Sequence, residues 1–485
     1  MNSYKHFDYL FNPRSVALIG ASNTIGKWGY GILSVLISKG WKEIYPVNHK
    51  EAEVLGIKAY GSILEVPVPV DLAVITVPIE QIVETMRDCV KKGVKSALVI
   101  TGGLSETSEE GAMVEQEMLA VAREGGLRFI GPNCMGHLNT RSNLFTTPAE
   151  LPVMKGPVSV ISQSGNASAV IIDVAWQMGL GINKWVGSGN EADLHFEDYL
   201  QYLAEDKETK VIIGYIEGFR EGRRFFELAK KISRKKPIVI MKAGRTDAGA
   251  RAARSHSASL AGEDVICETA FKQSGVIRAE DINELIDVAL TLVGQPLPRG
   301  KRVGVLSLGG GFGVITADAA RRQGLEIPLL SATTMEKLNA LLSGRWSHGN
   351  PIDPGGDMIT YPCLWPLLAD KNVDSVVVLS NFGASDRLPG TFSTVNANVQ
   401  RDEIDKIMAA VEEKEIKEID TAMELMKQYH KPIIFANMFP VTDKGDARKK
   451  LRSNYLTPFP TPERAVRALA LLVEYSKYLR TSREG

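Results

Sequence analysis

The segment Val16-Ala17-Leu18-Ile19-Gly20-Ala21-Ser22 decides the fold of the first part of the chain. Its four apolar residues predict a buried β-strand, and Gly20 predicts a tight turn directly after it. Three more glycines precede the apolar segment 32–40, which we expect to be helical: Gly26, Gly29 and Gly31. A strand, a glycine-rich loop and a helix in this order can hold a phosphate against backbone N–H groups and a helix N-terminus. The spacing departs from G-x-G-x-x-G, since Gly26 follows Gly20 by six positions.

Short β-branched runs alternate with helix-length polar segments along the rest of the chain. This alternation predicts parallel sheets with helices on both faces. Nine runs follow the pattern: SVALIG (15–20), DLAVITVP (71–78), SALVIT (96–101), PVSVIS (157–162), VIIGYIEG (211–218), PIVIMKAG (237–244), RVGVLSL (302–308), SVVVLSN (375–381) and PIIFANM (432–438). Two proline-rich joints, 147–152 and 294–298, interrupt the rhythm. We therefore predict domains at 1–148, 153–295 and 300–485.

The second and third predicted domains repeat each other. Eight residues recur at a constant offset (307 − 162 = 145): Val158, Val160, Ser162, Gly165, Asp173, Gly179, Leu180 and Ile182 match Val303, Val305, Ser307, Gly310, Asp318, Gly324, Leu325 and Ile327. Lys236-Pro237-Ile238-Val239-Ile240 is echoed by Lys431-Pro432-Ile433-Ile434-Phe435. The predicted fold class is therefore α/β, with a Rossmann-like N-terminal domain followed by two duplicated, flavodoxin-like doubly wound domains.

Composition excludes several classes of protein. The chain has 57 basic and 57 acidic residues, which argues against a nucleic-acid binder. No apolar run reaches membrane-spanning length, and the first fifteen residues lack the apolar core of a signal peptide. The four cysteines are scattered without the spacing of a metal site. We expect reduced thiols, no metal, no membrane association and a cytoplasmic location.

One histidine lies among very small side chains in Arg254-Ser255-His256-Ser257-Ala258-Ser259-Leu260-Ala261-Gly262. The segment has neither helical nor strand periodicity, so we predict an exposed loop. Short residues let hydroxyls and backbone N–H groups surround a phosphoryl group on the imidazole, which makes His256 a candidate nucleophile. The alternative is a loop histidine without a role. The third domain has no histidine after its equivalent strand, so the fold does not require this loop.

A nucleotide-type pocket is predicted in the first domain. NAD-binding units carry Asp or Glu after the second strand, whereas this chain has Asn48-His49-Lys50. An amide and a basic patch suit an extra phosphate on the ribose, as in NADP or coenzyme A. Two further strand ends, Val77-Pro78 and Thr101-Gly102, are expected in the same crevice. The turn 131–136 places Asn133 and Cys134 for contact with a ligand, although Cys134 fits a buried thiol equally well.

Seven motifs occur in one order along the chain: GAS (20–22), VPI (77–79), ITGG (100–103), GPNCMG (131–136), SQSG (162–165), GSGNEAD (187–193) and SHSASLAG (255–262). With this order and spacing the chain resembles the α subunit of the NDP-forming (ADP-forming) acyl-CoA synthetases, which are relatives of the succinyl-CoA synthetase α subunit. The resemblance covers essentially the whole chain, including NPIDPGGD at 350–357. The family's loop usually contains SHTGSLAG, so Ser257 and Ala258 depart from it; the hydroxyl is kept and a methyl group is added.

The resemblance implies a reaction and a set of residues. Acyl-CoA and phosphate give an acyl phosphate, His256 takes its phosphoryl group, and the phosphohistidine then phosphorylates ADP. Glu217, at the end of its strand, is implied to orient His256. The implied coenzyme A contacts are Gly20, Ala21, Ser22, Lys27, Val47, Asn48, Lys50, Val77, Pro78, Thr101, Gly102, Asn133 and Cys134. The implied phosphate contacts are Ser162, Ser164, Gly165, Gly187, Asn190, Ser255 and Ser257.

The same resemblance implies what the chain needs besides itself. Neither an ATP-grasp region nor a Walker lysine motif is visible in the sequence, so Mg-ADP or Mg-ATP is expected mainly on an ATP-grasp β subunit, in an α2β2 assembly. A small acid such as acetate is the expected substrate, with branched and aryl acids as alternatives. Two other functions stay open on the residues: a catalytically silent coenzyme A-binding regulatory or scaffold protein, and an NADP-dependent oxidoreductase. Phosphorylation of His256 and a preference for coenzyme A over NADP distinguish the three.

Overall fold

The first sheet has five parallel strands in the order β2-β1-β5-β6-β7. In this computed structural model, residues 5–249, 251, 264–355, 361–385, 401–437 and 445–484 are described. The strands are β1 (Val16–Ile19), β2 (Ile44–Val47), β5 (Leu72–Ile75), β6 (Ser96–Val99) and β7 (Arg128–Ile130), and β3 (Glu53–Val54) pairs with β4 (Ile57–Lys58) in a separate hairpin. The helices around them are α1 (Lys5–Phe11), α2 (Trp28–Ser38), α3 (Ile82–Lys92) and α4 (Glu109–Glu124).

Side chains of each strand alternate between two apolar cores. Val16 and Leu18 pack in the core that contains α1 and α2, whereas Ala17 and Ile19 pack in the core that contains α3 and α4. This alternation follows from the two-residue repeat of a strand and explains why the run is apolar throughout. A sheet covered on both faces leaves the carboxyl ends of its strands as the place for a ligand.

The second sheet has the order β14-β13-β12-β10-β11-β8-β9. Its strands are β8 (Gly136–Asn139), β9 (Leu144–Phe145), β10 (Lys155–Ser162), β11 (Ile182–Gly187), β12 (Val211–Ile216), β13 (Ile238–Lys242) and β14 (Ile277–Ala279). Its helices are α5 (Gly165–Gln177), α6 (Phe196–Glu205), α7 (Gly222–Ile232), α8 (Asp264–Ser274) and α9 (Ile282–Gly294). The five strands β10 to β14 are parallel in the flavodoxin-like order, and the β8–β9 hairpin extends the sheet in antiparallel fashion next to β11.

The first two sheets share an apolar core. The core that holds α1 and α2 continues through Ile161, Val186 and Ile212 of the second sheet. The Phe7 and Tyr202 rings stack with centroids 4.7 Å apart, which joins α1 to α6. Residues 1–177 and 181–285 accordingly form one compact unit, and residues 178–180 and 286–485 form the other. The division into three domains stays a prediction.

The second unit contains a three-stranded parallel sheet with the order β15-β16-β17. Its strands are β15 (Val303–Leu306), β16 (Ser375–Ser380) and β17 (Ile433–Asn437), and single bridges to Glu326, Ile352 and Phe459 continue it on either side. Its helices are α10 (Gly310–Arg322), α11 (Ala332–Leu341), α12 (Leu364–Ala369), α13 (Arg401–Tyr429), α14 (Asp446–Ser453) and α15 (Pro462–Glu484).

The duplication reaches individual hydrogen bonds. Ser162 and Ser307 each donate a hydroxyl proton to the carbonyl oxygen two residues ahead, at 2.8 and 2.6 Å. Lys236 and Lys431 each donate to a carbonyl oxygen at the end of an earlier helix, Leu203 of α6 and Leu368 of α12, at 2.8 and 2.6 Å. A hydrogen bond from a charged donor contributes about 1.5–3 kcal/mol. Both copies thus stabilise the same two corners of their sheets in the same way.

Candidate functional site

A cavity of about 930 Å³ opens at the carboxyl ends of β1, β2, β5 and β6. It is lined by the loops that follow these four strands, by residues 61–63, by the start of α2 and by Thr85 and Asp88 of α3. Eleven of the thirteen residues predicted to contact coenzyme A line it: Gly20, Ala21, Ser22, Lys27, Val47, Asn48, Lys50, Val77, Pro78, Thr101 and Gly102. Asn133 and Cys134 are not among its lining residues, and their contact with a ligand stays a prediction.

The turn after β1 leaves room for backbone only. Gly20 has φ +90°, and a Cβ there would lie 2.6 Å from Thr76 Oγ1. A Cβ on Gly29 would lie 2.0 Å from the Gly20 carbonyl oxygen, so α2 begins in direct contact with the turn. Helix N-terminal N–H groups and the Gly20–Ala21 backbone therefore border the cavity together. This glycine cradle fits a pyrophosphate-bearing ligand such as coenzyme A.

Asn48 ties two loops at the cavity to each other. Its Nδ2 donates to the Ala21 carbonyl oxygen at 2.7 Å, and its Oδ1 accepts from the backbone N–H groups of Lys50 and Glu51 at 2.7 and 3.2 Å. An aspartate could not donate to Ala21. The hydrogen bond to Ala21 thus explains the amide at this position. Lys50 is exposed at the cavity, and residue 48 brings no negative charge next to it.

Asn133 connects the first strand ends with the second sheet. Its backbone N–H donates to the Thr101 carbonyl oxygen at 2.9 Å, and Gly102 lies against its side-chain oxygen. Its Nδ2 donates to Asn190 Oδ1 at 3.3 Å. Thr101 Oγ1 in turn donates to the Val77 carbonyl oxygen at 2.7 Å. The Asn133 side chain thus connects the edge of the cavity to the loop after β11, together with backbone hydrogen bonds from Asn190 to Pro132 and from Ala192 to Gly131.

Cys134 has the surroundings of a structural thiol. It is buried, and its Sγ donates to the Val99 carbonyl oxygen at 3.0 Å. Burial raises the pKa of the Cys134 thiol to about 12. A thiolate is therefore not present at neutral pH, and nucleophilic chemistry at this sulfur is disfavoured.

A second group of predicted residues lies at the carboxyl ends of β10 and β11. Ser164 precedes α5, and its Oγ accepts from the Ala167 backbone N–H at 3.3 Å, as an N-cap residue does. Gly165 opens the helix, and Gly187 ends β11. Asn190 donates to Glu106 Oε2 at 2.6 Å and to Glu115 Oε2 at 3.1 Å. The structure thus gathers all the described members of the predicted phosphate set at one edge of the second sheet.

His256, Ser255, Ser257 and Ala258 lie outside the residues that the structure describes. Glu217 is buried directly after β12. Three residues that the sequence prediction did not select lie around it or around its neighbours: Gln163, Glu191 and Lys242. Thr76 and Trp28 were also missed at the cavity, although both directly adjoin predicted motifs.

Glu191 is a buried carboxyl group with two side-chain donors. Ser188 Oγ donates to its Oε1 at 2.6 Å, and Gln163 Nε2 donates to its Oε2 at 3.0 Å. Burial outweighs these two hydrogen bonds and raises the pKa of Glu191 to about 7. The position was not selected because only the folded chain brings residues 163 and 191 together.

Neither a membrane-spanning helix nor a cluster of metal ligands occurs among the described residues. No helix among them is both long and apolar enough to cross a membrane. No three His, Cys, Asp or Glu side chains in the described ranges are grouped as metal ligands.

Two models of known domain families match the two sheets of the first unit. Residues 14–140 match the model of a CoA binding domain, and residues 155–292 match that of the succinyl-CoA ligase like flavodoxin domain. The α subunit of ADP-forming acetate–CoA ligase II from Pyrococcus furiosus is 44% identical over 380 residues, which cover 77% of this chain and 82% of that subunit. The α subunit of ADP-forming acetate–CoA ligase I from the same organism is 37% identical and covers 97% of both chains.

A solved structure matches along the whole chain. Acetyl-coenzyme A synthetase 1 of Candidatus Korarchaeum cryptofilum, described as dinucleotide forming and solved with phosphate and ADP, is 33% identical with a TM-score of 0.83 over 99% of both chains. These findings confirm the α/β fold class and the ligase function expected from the motifs. The chain belongs to the family of the ADP-forming acetate–CoA ligases.

Proposed function

We propose that this chain binds coenzyme A in the 930 Å³ cavity and carries phosphate on His256, as the α subunit of an ADP-forming acyl-CoA synthetase. The observation that carries the proposal is the contact between Asn133 and Asn190. It joins the turn that contacts Thr101 at the edge of the cavity to the loop after β11, within one compact unit. A thioester and a phosphate bound at these two places would be neighbours.

The proposed reaction has three transfers. A phosphate oxygen attacks the thioester carbonyl carbon, the C–S bond breaks, and coenzyme A leaves with a proton from the phosphate. An imidazole nitrogen of His256 then attacks the phosphorus of the acyl phosphate, and the carboxylate leaves as the P–O bond breaks. Finally an oxygen of ADP attacks the same phosphorus, the N–P bond breaks, and ATP and free imidazole result. Reversal gives acyl-CoA from a carboxylic acid, ATP and coenzyme A.

The chain's own residues have distinct parts in this scheme. N–H groups at the start of α5 and the Ser162 and Ser164 loop neutralise the phosphate oxygens. Glu217 orients the imidazole by accepting a hydrogen bond from its second nitrogen, which leaves the first nitrogen as the nucleophile. The proposed loop hydroxyls, Ser255 and Ser257, add donors to the phosphohistidine.

The nucleotide step needs a further site. We assign it to an ATP-grasp β subunit that binds Mg-ADP or Mg-ATP, in an α2β2 assembly. The P. furiosus relatives that support this assignment are themselves described as α subunits. Acetate or another small carboxylic acid is the proposed acyl group, and the cytoplasm, where the four free cysteines stay reduced, is the proposed location.

Labelling with acetyl phosphate that is radioactive at phosphorus tests the proposal. The purified chain should take a label that is stable in base and labile in acid, and His256→Ala should take none. His430→Asn is the matched control, because His430 is exposed and has a positive φ that asparagine tolerates. A label that persists in His256→Ala refutes the phosphohistidine. A wild-type chain that binds coenzyme A but takes no label supports the silent regulatory protein instead.

A further inference from the structure

The backbone at Glu217 is held from several sides by buried side chains. Gln163 Oε1 accepts from the Glu217 N–H at 2.6 Å and from the Gly218 N–H at 3.2 Å, while Gln163 Nε2 donates to the Gly218 carbonyl oxygen at 2.8 Å. Lys242 Nζ donates to the Glu217 carbonyl oxygen at 2.7 Å. Both peptide groups of Glu217 are therefore fixed by side chains from elsewhere in the sheet, Gln163 directly after β10 and Lys242 at the end of β13.

Glu191 fixes the first of these side chains. Its Oε2 accepts the second proton of the Gln163 amide at 3.0 Å, and Ser188 holds its other oxygen. With both amide protons and the amide oxygen engaged, Gln163 has one orientation. We call Gln163, Glu191 and Lys242 the Glu217 clamp.

The second copy shows that the fold does not require this arrangement. The strand register pairs Ile216 with Lys242 in one copy and Ser380 with Asn437 in the other, so Asn437 is the equivalent of Lys242. In the second copy a neutral amide holds the backbone: Asn437 Nδ2 donates to the Phe382 carbonyl oxygen at 2.9 Å, and Asn437 Oδ1 accepts a hydrogen bond from the Phe382 N–H at 3.0 Å.

Gln163 and Glu217 also differ between the copies. The offset of 145 makes Leu308 the equivalent of Gln163, and the register makes Asn381 the equivalent of Glu217. An apolar residue thus suffices where the first copy has the amide. Burying an ammonium group is costly, so the presence of Lys242 where the second copy has the neutral Asn437 calls for a cause other than folding.

The second copy also lacks a histidine after its equivalent strand, whereas Lys242 ends the strand that leads into the segment with His256. We propose that the Glu217 clamp is a set of positioning residues for phosphoryl transfer, which rests on the proposed function. The clamp fixes the backbone of Glu217 in advance, so its carboxylate meets the imidazole without reorganisation. None of the three residues is assigned contact with the substrate.

Single-turnover phosphorylation by acetyl phosphate measures this role. Gln163→Leu installs the residue of the second copy, and Lys242→Met keeps the length of the side chain without its donor. Each should slow labelling by about tenfold to a hundredfold, the usual cost of a small misplacement. Coenzyme A affinity, measured calorimetrically at the cavity of the first sheet, should be unchanged and reports that the unit is folded.

Lys236→Met is the matched control. Lys236 precedes the same strand and also donates to a carbonyl oxygen, but it does so at the opposite end, in a contact that both copies share. We expect a lower unfolding temperature and an unchanged labelling rate. A loss of rate equal to that of Lys242→Met would make the lysine effect structural and overturn the proposal.

A double-mutant cycle identifies the residue through which the clamp acts. If it acts through Glu217, Lys242→Met should add no further loss of rate in a Glu217→Gln background. Losses that multiply would overturn the proposal. A wild-type chain that takes no label overturns the proposed function itself, whereas a labelled wild type with unaffected clamp variants overturns the clamp alone.

Discussion

Gly29→Ala should displace the start of α2 from the turn after β1. The added Cβ would lie 2.0 Å from the Gly20 carbonyl oxygen and 3.0 Å from Ala21 Cα. Either the helix or the turn must move by about 1 Å to restore a 3.0 Å separation, which is the least that real Cβ atoms show. Overpacking of this kind costs about 1–3 kcal/mol of stability.

Both elements that must move border the cavity, so ligand binding should suffer as well. A loss of about 1.4 kcal/mol in binding corresponds to a tenfold higher Kd, and we expect at least that for coenzyme A by isothermal titration calorimetry. Gly222→Ala is the control, since a Cβ at this exposed position of α7 meets no atom within 4 Å. A folded Gly29→Ala chain with the wild-type Kd would refute the assignment of this turn to the ligand.

Two further predictions concern charge. Lys50→Ala should weaken coenzyme A binding about fivefold at low salt, because one exposed ion pair contributes up to about 1 kcal/mol. The affinity for dephospho-coenzyme A, which lacks the ribose phosphate, should be unchanged. Equal losses for both ligands would contradict contact between Lys50 and the ribose phosphate. Burial lowers the pKa of His137 from 6.5 to about 4, so the unfolded chain takes up a proton that the folded chain refuses, and stability should fall by about 3 kcal/mol as the pH drops through that window. Urea denaturation at stepped pH checks this, and a His137→Gln chain with the same slope would contradict it.

Local sequence was sufficient for nine of the strands and for most of the loops that line the cavity. The nine apolar runs all form strands, because each buries both faces and so lacks polar interruptions. Asn48 was selected as a cavity residue because it stands where NAD-binding units carry Asp or Glu. The strand order then brings four loops to one crevice. Helix α2 begins at Trp28, before the apolar segment from which it was predicted, since backbone contact at Gly29 rather than hydrophobicity sets its start.

The same reasoning could not predict the buried polar network around Glu217. Gln163 and Lys242 meet Glu217 only because β10, β12 and β13 lie side by side, and this depends on sheet order and register rather than on neighbouring residues. The β8–β9 hairpin illustrates the same limit. It precedes the proline-rich joint in sequence, yet it pairs with β11, because pairing depends on backbone groups that no composition records.

Asn133 is needed both for its backbone conformation and for its side-chain amide. Its φ of +54° lies in the left-handed region, which asparagine enters at less cost than most side chains. In that conformation its N–H donates to the Thr101 carbonyl oxygen while its amide donates to Asn190 Oδ1. A glycine would satisfy the backbone and lose the amide; a glutamine would keep an amide and strain the backbone. In the proposed reaction the thioester and the phosphate bind on opposite sides of the Asn133–Asn190 contact, so we expect either exchange to disturb their alignment.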